Sequence, residues 1–191
     1  PGGGNDPAFF FFFLDSFSPK TVWEGDVSSS WNNENNWLTE IVPNETIDAE
    51  IPAVISPKVY PVISTTARSA KNLTIASGAS VTVNGTGVLN IAGSVSNSGT
   101  LNAIDGTIGF IGKAAQSIPA NTFSTGFIKN LNVSNTNGVA MNSATSLTGV
   151  LTVNSGGSFN TNDYLTLKST ATSTAVIAPV VGTVTGKMTI E

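Results

Sequence analysis

The chain has 191 residues, of which 40% are apolar and 10% are charged, so it can form a sizeable core beneath a weakly charged surface. Its net charge of −4 and eight scattered Lys and Arg residues argue against a nucleic-acid-binding groove, which needs clustered Lys and Arg side chains. The sequence has no Cys or His, which excludes disulfides, thiolate or histidine metal sites, and Ser-His-Asp or Cys-His catalysis. No apolar run approaches the ~20 residues of a membrane-spanning helix.

Residues 8–14 form an uninterrupted apolar run, AFFFFFL, here called the phenylalanine segment. The triplet Ser16-Phe17-Ser18 that follows resembles the small-x-small end of a signal peptide. The alternative is a docking β-strand, since aromatic residues favour extended structure and an exposed apolar strand needs a cover. Residues 1–20 are therefore a leader, either a signal remnant or a docking strand. The self-association candidates are Phe9, Phe10, Phe11, Phe12 and Phe13.

Residues 21–69 hold all three tryptophans, and nine of the twelve acids lie within residues 1–50. Frequent Pro, Asn and Ser residues favour loops and short strands here. Because a repeat array needs an atypical terminal unit, we interpret this zone as a cap built on Trp23, Trp31 and Trp37. The alternative role for the three rings is stacking against sugars.

The acidic residues of this zone give one cofactor alternative. A calcium ion would use carboxylate oxygens, but the spacing of these acids matches no known calcium loop. A solvated acidic face is the preferred interpretation, and we predict no cofactor. The candidate calcium ligands are Asp26, Glu34, Asp48 and Glu50.

Residues 70–191 alternate apolar and small polar residues in runs of three to five, which predicts β-strands throughout. Pairs containing Gly, such as Ser77-Gly78, Asn84-Gly85 and Asp105-Gly106, predict the tight corners between them. The predicted strands are Leu73-Thr-Ile75, Val81-Thr-Val83, Leu89-Asn-Ile91, Ile108-Gly-Phe110, Leu131-Asn-Val133, Leu151-Thr-Val153 and Leu165-Thr-Leu167.

Residues 71–105 recur at 129–163 without a gap, with ten identities in 35 positions. A fixed 58-residue period predicts superposable coils, two or three per repeat at 20–29 residues each. The predicted fold is all-β: a right-handed parallel β-helix with an N-terminal cap. β-Sandwich repeats are the alternative. Residues 187–190 echo the start of the repeat, so we expect the array to continue beyond this chain.

The acids within the repeats are Asp105, Asp163 and the terminal Glu191. Asp105 and Asp163 are repeat-equivalent, which predicts the same side of the stack and a separation of ~10–14 Å at ~4.8 Å per coil. Paired glycosidase carboxylates lie closer together. We therefore predict that each Asp caps a turn, that no residue is catalytic and that the chain is not an enzyme.

A series of short motifs runs from the tryptophan zone into the repeats: Thr21-Val-Trp23-Glu-Gly25, Trp31-Asn32, Asn36-Trp37, Pro43, Ile51-Pro52, Tyr60-Pro61, Lys71-Asn-Leu-Thr-Ile75 and Gly106-Thr-Ile-Gly-Phe110. On these residues the chain resembles large surface proteins of gliding-type Gram-negative bacteria, which the type IX route secretes. The resemblance covers residues 21–191 and implies an extracellular, non-catalytic β-helical stalk or adhesin segment of a longer, sometimes fibre-forming protein.

The predicted function is an extracellular structural or adhesive module that associates with copies of itself or with the rest of a surface protein. Glycans are candidate partners; nucleic acid and a membrane span are not expected. The alternative is a carbohydrate-binding or polysaccharide-degrading protein on the same scaffold, because β-helices host both roles.

Overall fold

A computed structural model describes residues 19–53 and 59–191, which consist almost entirely of short β-strands and turns. Within these ranges the single helical element is a one-turn 3₁₀ helix, Glu34–Asn36, and no helix is long and apolar enough to cross a membrane. The strands are β1 (Lys20–Val22), β2 (Asp48–Ile51), β3 (Val62–Ile63), β4 (Ala67–Ala70), β5 (Leu73–Ile75), β6 (Ser80–Val83), β7 (Val88–Ile91), β8 (Val95–Asn97), β9 (Thr100–Phe110), β10 (Gln116–Ile118), β11 (Phe127–Val133), β12 (Val139–Met141), β13 (Thr145–Leu147), β14 (Val150–Val153), β15 (Ser158–Asn160), β16 (Leu165–Leu167), β17 (Val176–Ile177), β18 (Thr183–Thr185) and β19 (Met188–Ile190).

Each turn of the chain contributes one strand to each of three faces, here called A, B and C. Face A contains the ladders β1-β2-β5-β8 and β10-β12-β15-β18. Face B stacks β3, β6, the first half of β9, the first half of β11, β13, β16 and β19. Face C stacks β4, β7, the second halves of β9 and β11, β14 and β17. All pairs of these strands are parallel, and the chain is a β-solenoid of about six turns, which confirms the predicted fold class over the sandwich alternative.

Inward-pointing side chains form columns along the stack, with one member from each turn. On face B, Ile128, Leu147 and Leu167 are register partners in successive turns and are at most 5% exposed. On face C, Leu131 pairs with Leu151 and both are buried. These columns join in one apolar core, so each turn is covered by the turns before and after it.

The strand positions follow from the local sequence pattern. β16 reads Leu-Thr-Leu with both leucines buried, because side chains alternate between the two faces of a strand. All seven predicted three-residue strands lie within observed strands. Turn lengths measured between register partners run from 19 residues (Val88 to Thr107) to 28 (Lys20 to Asp48), close to the predicted range.

The 58-residue period does not bring equivalent residues onto the same face, so the prediction of superposable coils is wrong. Leu73 lies in β5 on face A, whereas its counterpart Leu131 lies in β11 on face C. The interval contains eight strand-and-corner units, and with three faces per turn it advances two and two-thirds turns. Strands on all three faces share one short pattern, so the sequence can repeat out of phase with the turns.

The predicted corner at Asp105-Gly106 exists, but it is a bend within an extended strand and not a tight turn. β9 runs without a break from face B, where it pairs with β6, to face C, where it pairs with β7. The chain changes face there by bending an extended strand. Gly106 is needed because a Cβ at this position would meet the backbone of Val83 in the preceding turn.

Asparagine side chains at corners accept a hydrogen bond from the next turn, from the residue that follows a glycine. The Asn72 carboxamide oxygen accepts the Ser94 N–H at 2.7 Å, and the Asn130 oxygen accepts the Val150 N–H at 2.9 Å. In each case the residue before that N–H is a glycine, Gly93 or Gly149, whose missing Cβ leaves room for the carboxamide. The two asparagines are at different corners, so they bridge turns without stacking on one another.

The inward and outward positions predict opposite responses to the same substitution. Phe159 is fully buried in a face A column, so Phe159→Ala should lower the free energy of unfolding by about 3–5 kcal/mol. Phe127 points outward and is 38% exposed, so Phe127→Ala should cost less than about 1 kcal/mol. Urea unfolding followed by circular dichroism measures both. Equal losses would contradict the assigned register.

Candidate functional site

The three tryptophans form a buried cluster in the layer before the first complete turn. Trp23 directly follows β1, and the Trp31 N–H donates to the carbonyl of Val62 in β3. The Trp23 and Trp31 rings each pack edge-to-face on Trp37, with centroids 5.0 and 4.9 Å apart. All three residues are at most 1% exposed. The cluster closes one end of the apolar interior, as expected of a cap.

Burial leaves the tryptophan rings no free face for a sugar in this conformation. The Trp23 indole N–H donates to the Val59 carbonyl, and the Trp37 indole N–H donates to the Trp31 carbonyl. Both rings are thus fixed by hydrogen bonds within the cap. Stacking on glycans, the alternative role predicted for these residues, would need the cluster to open.

Asn36 holds the loop over the tryptophans together. Its carboxamide oxygen accepts the N–H groups of Val27 and Ser28, both at 3.0 Å. Its amide donates to the Ser28 hydroxyl and the Ser30 carbonyl. The side chain is fully buried and uses both its donor and acceptor capacity. One residue thereby fixes a loop that has little regular secondary structure.

The predicted calcium ligands do not form one cluster. Asp48 accepts the backbone and side-chain N–H groups of Asn72, and Glu50 pairs with Lys20 at 2.7 Å. The hydrogen bond and charge of Glu50 raise the pKa of Lys20. Within residues 19–53 and 59–191, no group of three or more acids lies close enough to hold a metal ion. That the chain binds no cofactor stays a prediction, with calcium as the alternative.

Asp105 and Asp163 are at different corners, so the prediction that they share one side of the stack is wrong. Asp105 is between faces B and C, whereas Asp163 is between faces A and B. Both accept a backbone N–H from a neighbouring turn, from Gly85 and Lys187 respectively. Each carboxylate therefore joins two turns of the solenoid, whereas the predicted role was to cap a local turn.

The end of the stack opposite the tryptophans exposes its apolar columns, and we call it the open edge. It consists of β17, β18 and β19, each of which pairs on one side only in the described structure. Ile190 continues the column of Ile128, Leu147 and Leu167, yet it is 80% exposed. Ile177, which continues the face C column, is 37% exposed. This edge presents both unpaired backbone and inward-pointing apolar side chains.

A side groove of about 600 Å³ lies at the corner between faces B and C. One wall comes from the outward side chains of β9 and β11, and a loop around residues 170–173 forms the other. Asp105 and Lys129 form an ion pair at 2.6 Å within it. The hydrogen bond from Lys129, with that from the Gly85 N–H, holds the pKa of Asp105 below its usual value.

Residues 22–107 are similar to a protein family described as "Domain of unknown function (DUF8693)". The matched stretch contains the tryptophan cluster and the first turns of the solenoid. No curated protein and no solved structure matches the chain. The family description assigns no activity. The phenylalanine segment, with Phe9, Phe10, Phe11, Phe12 and Phe13, lies outside the described residues.

The side groove was not predicted from the sequence. A signal for the groove exists in the turn lengths: 25 residues separate Ala103 from Ile128 and 26 separate Val150 from Val176. In most other strand pairs, about 20 residues separate the register partners of neighbouring turns. The extra residues form the loops that border the groove. This signal becomes readable only when the register of the turns is known.

Removing the Asn36 side chain tests its role in the cap. Asn36→Ala removes a fully buried carboxamide and with it the acceptor of the Val27 and Ser28 N–H groups, so we expect a loss of about 2–3 kcal/mol in unfolding free energy. Tryptophan fluorescence during urea unfolding reports on the cluster directly. The matched control is Asn35→Ala, which changes an exposed neighbour and should have no effect beyond ~0.5 kcal/mol. Similar results for both variants would contradict the role of Asn36.

Proposed function

We propose that the chain is a structural module of an extracellular surface protein, in which the solenoid acts as a stiff spacer. Six turns at about 4.8 Å each form a rod about 30 Å long, held by parallel backbone ladders and one continuous core. The observation that carries the proposal is the continuity of the stack: parallel ladders join its successive turns, and their inward side chains form one apolar core.

The open edge is suited to β-strand addition. Unpaired backbone groups of β17, β18 and β19 can hydrogen-bond an incoming strand, and alternate apolar side chains of that strand would cover the exposed columns. The edge carries charge at Lys187 and at Glu191, which pairs with Lys168, but the inward positions of β18 and β19 are Val184, Met188 and Ile190. Apolar burial would supply the main stabilisation.

Where the array continues beyond residue 191, as the sequence predicts, the next turn covers this edge; for residues 1–191 by themselves, the occupant we propose is the phenylalanine segment of a second copy. As a strand it would place alternate phenylalanines against the exposed columns and pair its backbone with the edge. Its seven apolar residues match the chemistry of the edge and need a cover of this kind. Head-to-tail association follows, since the segment and the open edge belong to opposite ends of the chain.

The extracellular location is part of the proposal. It is supported by the resemblance of the tryptophan zone and repeats to surface proteins secreted by the type IX route. A surface rich in Ser, Thr and Asn with few charges agrees with it. The adhesive role predicted from the same resemblance would place a second binding surface on the rod.

We propose no catalytic role for the carboxylates of the solenoid. Each acid from residue 70 onward has a structural partner: Asp105 binds Lys129, Asp163 binds the Lys187 N–H, and Glu191 binds Lys168. These contacts join successive turns and give each of the three carboxylates a structural role. The polysaccharide-degrading alternative gains no support from their arrangement.

Association is tested by light scattering after size exclusion, with negative-stain imaging, over a range of protein concentrations. The intact chain should form concentration-dependent linear oligomers. Deleting residues 1–18 or introducing Ile190→Lys should give monomers, because one removes the strand and the other places a charge in the exposed column.

The matched control is Thr189→Lys, which adds the same charge at the outward-facing neighbour on β19 and should still associate. A monomeric intact chain at all concentrations would contradict self-association. Oligomers that persist in Ile190→Lys would show that the contact lies elsewhere.

A further inference from the structure

The side groove combines an apolar floor with polar walls. Phe127 and Ile104 point outward into it and are 38% and 52% exposed, although neither is near a described chain end. Lys168 lies 6.0 Å from the centre of the Phe127 ring and restrains it from the side of the following turns. Its volume of about 600 Å³ lies within the usual range for small-molecule sites.

Three hydroxyl groups around the groove donate their protons to backbone carbonyls. Thr125 donates to the Phe127 carbonyl, Thr148 to the Ile128 carbonyl, and Ser173 to the Thr148 carbonyl at 2.6 Å. Each oxygen retains lone pairs, so these side chains offer hydrogen-bond acceptors to the groove. The wall is therefore complementary to a ligand that brings hydroxyl donors.

The charges in the groove are balanced. Lys129 and Asp105 neutralise each other at 2.6 Å, and the Asp105 side chain remains 58% exposed. Its carboxylate can accept further hydrogen bonds, and Lys129 has two more N–H groups to donate. A balanced pair gives no net attraction for a phosphate or another anion. This favours a neutral, hydroxyl-rich ligand.

We propose that the groove is a binding site for a neutral sugar. One C–H face of a pyranose ring would pack on Phe127 and Ile104, while its hydroxyl groups donate to Asp105 and the Thr and Ser oxygens. Lys129 would bind a ring or hydroxyl oxygen. This site is separate from the tryptophan cap and from the open edge, so it does not depend on self-association.

The affinity should be weak, because one aromatic ring and a half-open groove bury only part of a ligand. We expect a dissociation constant on the order of 1 mM. Specificity would come from the Asp105 carboxylate and the Thr and Ser oxygens that accept hydrogen bonds from the sugar. Ligand-observed saturation-transfer NMR detects binding in this range. The probes are cellotetraose, maltotetraose and chitotetraose, each titrated to about tenfold above the expected constant.

The test compares the intact chain with two groove variants and one control. At least one probe should bind the intact chain, and Phe127→Ala should weaken that binding at least tenfold. Ile104→Ala, at a more exposed position, should weaken it several-fold and tests the groove independently of Phe127. Tyr164→Ala removes a ring that is 44% exposed outside the groove and should leave binding unchanged.

Three results would overturn the proposal. They are absence of binding by all three probes, unchanged binding in the folded groove variants, and equal loss in Tyr164→Ala. The last would place the sugar contact outside the groove.

Discussion

The structure depends on one constraint: the inward side chains of each turn are covered only by the turns on either side of it. Leu147 is buried because Ile128 and Leu167 are its register partners above and below. The parallel ladders fix this register, and asparagines such as Asn130 reinforce it by accepting an N–H from the next turn. Stability in such a stack is a sum of contacts between neighbours, so the ends decide how the array behaves.

The two ends meet that constraint in different ways. At the first, three tryptophans provide the large apolar volume that covers the columns, and Asn36 satisfies the loop that carries them. At the last described turn, the inward side chains have no further turn above them within the described residues, and Ile190 is 80% exposed. The proposed association and the proposed sugar site divide the surface between them: the end of the rod for assembly, and its side for recognition.

The strands could be predicted from local sequence patterns. The register between neighbouring turns could not. Leu165-Thr-Leu167 could be assigned from alternation alone, since a three-residue strand depends on its own side chains. The 58-residue period misled because Leu73 and Leu131 repeat a strand pattern and not a position in the turn. The corner at Asp105 stays extended because β9 pairs with β6 on one face and with β7 on the next. The local sequence does not show this double pairing.

The candidate sites also differ in whether the sequence predicts them. The clustering of the tryptophans at a terminal unit was predictable, because repeat arrays need a cap and large aromatics fill one. The groove was not, because Ile104 and Phe127 come from successive turns and meet only through the ladder between β9 and β11. The acceptor-rich wall depends further on where each hydroxyl donates its proton, which is a property of the folded chain.

Hydrogen exchange followed by mass spectrometry tests the dependence on neighbouring turns most directly. In dilute solution, amides of the central strands β6, β9, β11 and β13 should exchange slowest, and those of β17, β18 and β19 fastest among the paired strands. Protection of the last three should rise as protein concentration increases and the open edge is covered. Uniform protection in the dilute monomer, or rapid exchange in the central strands, would contradict the account.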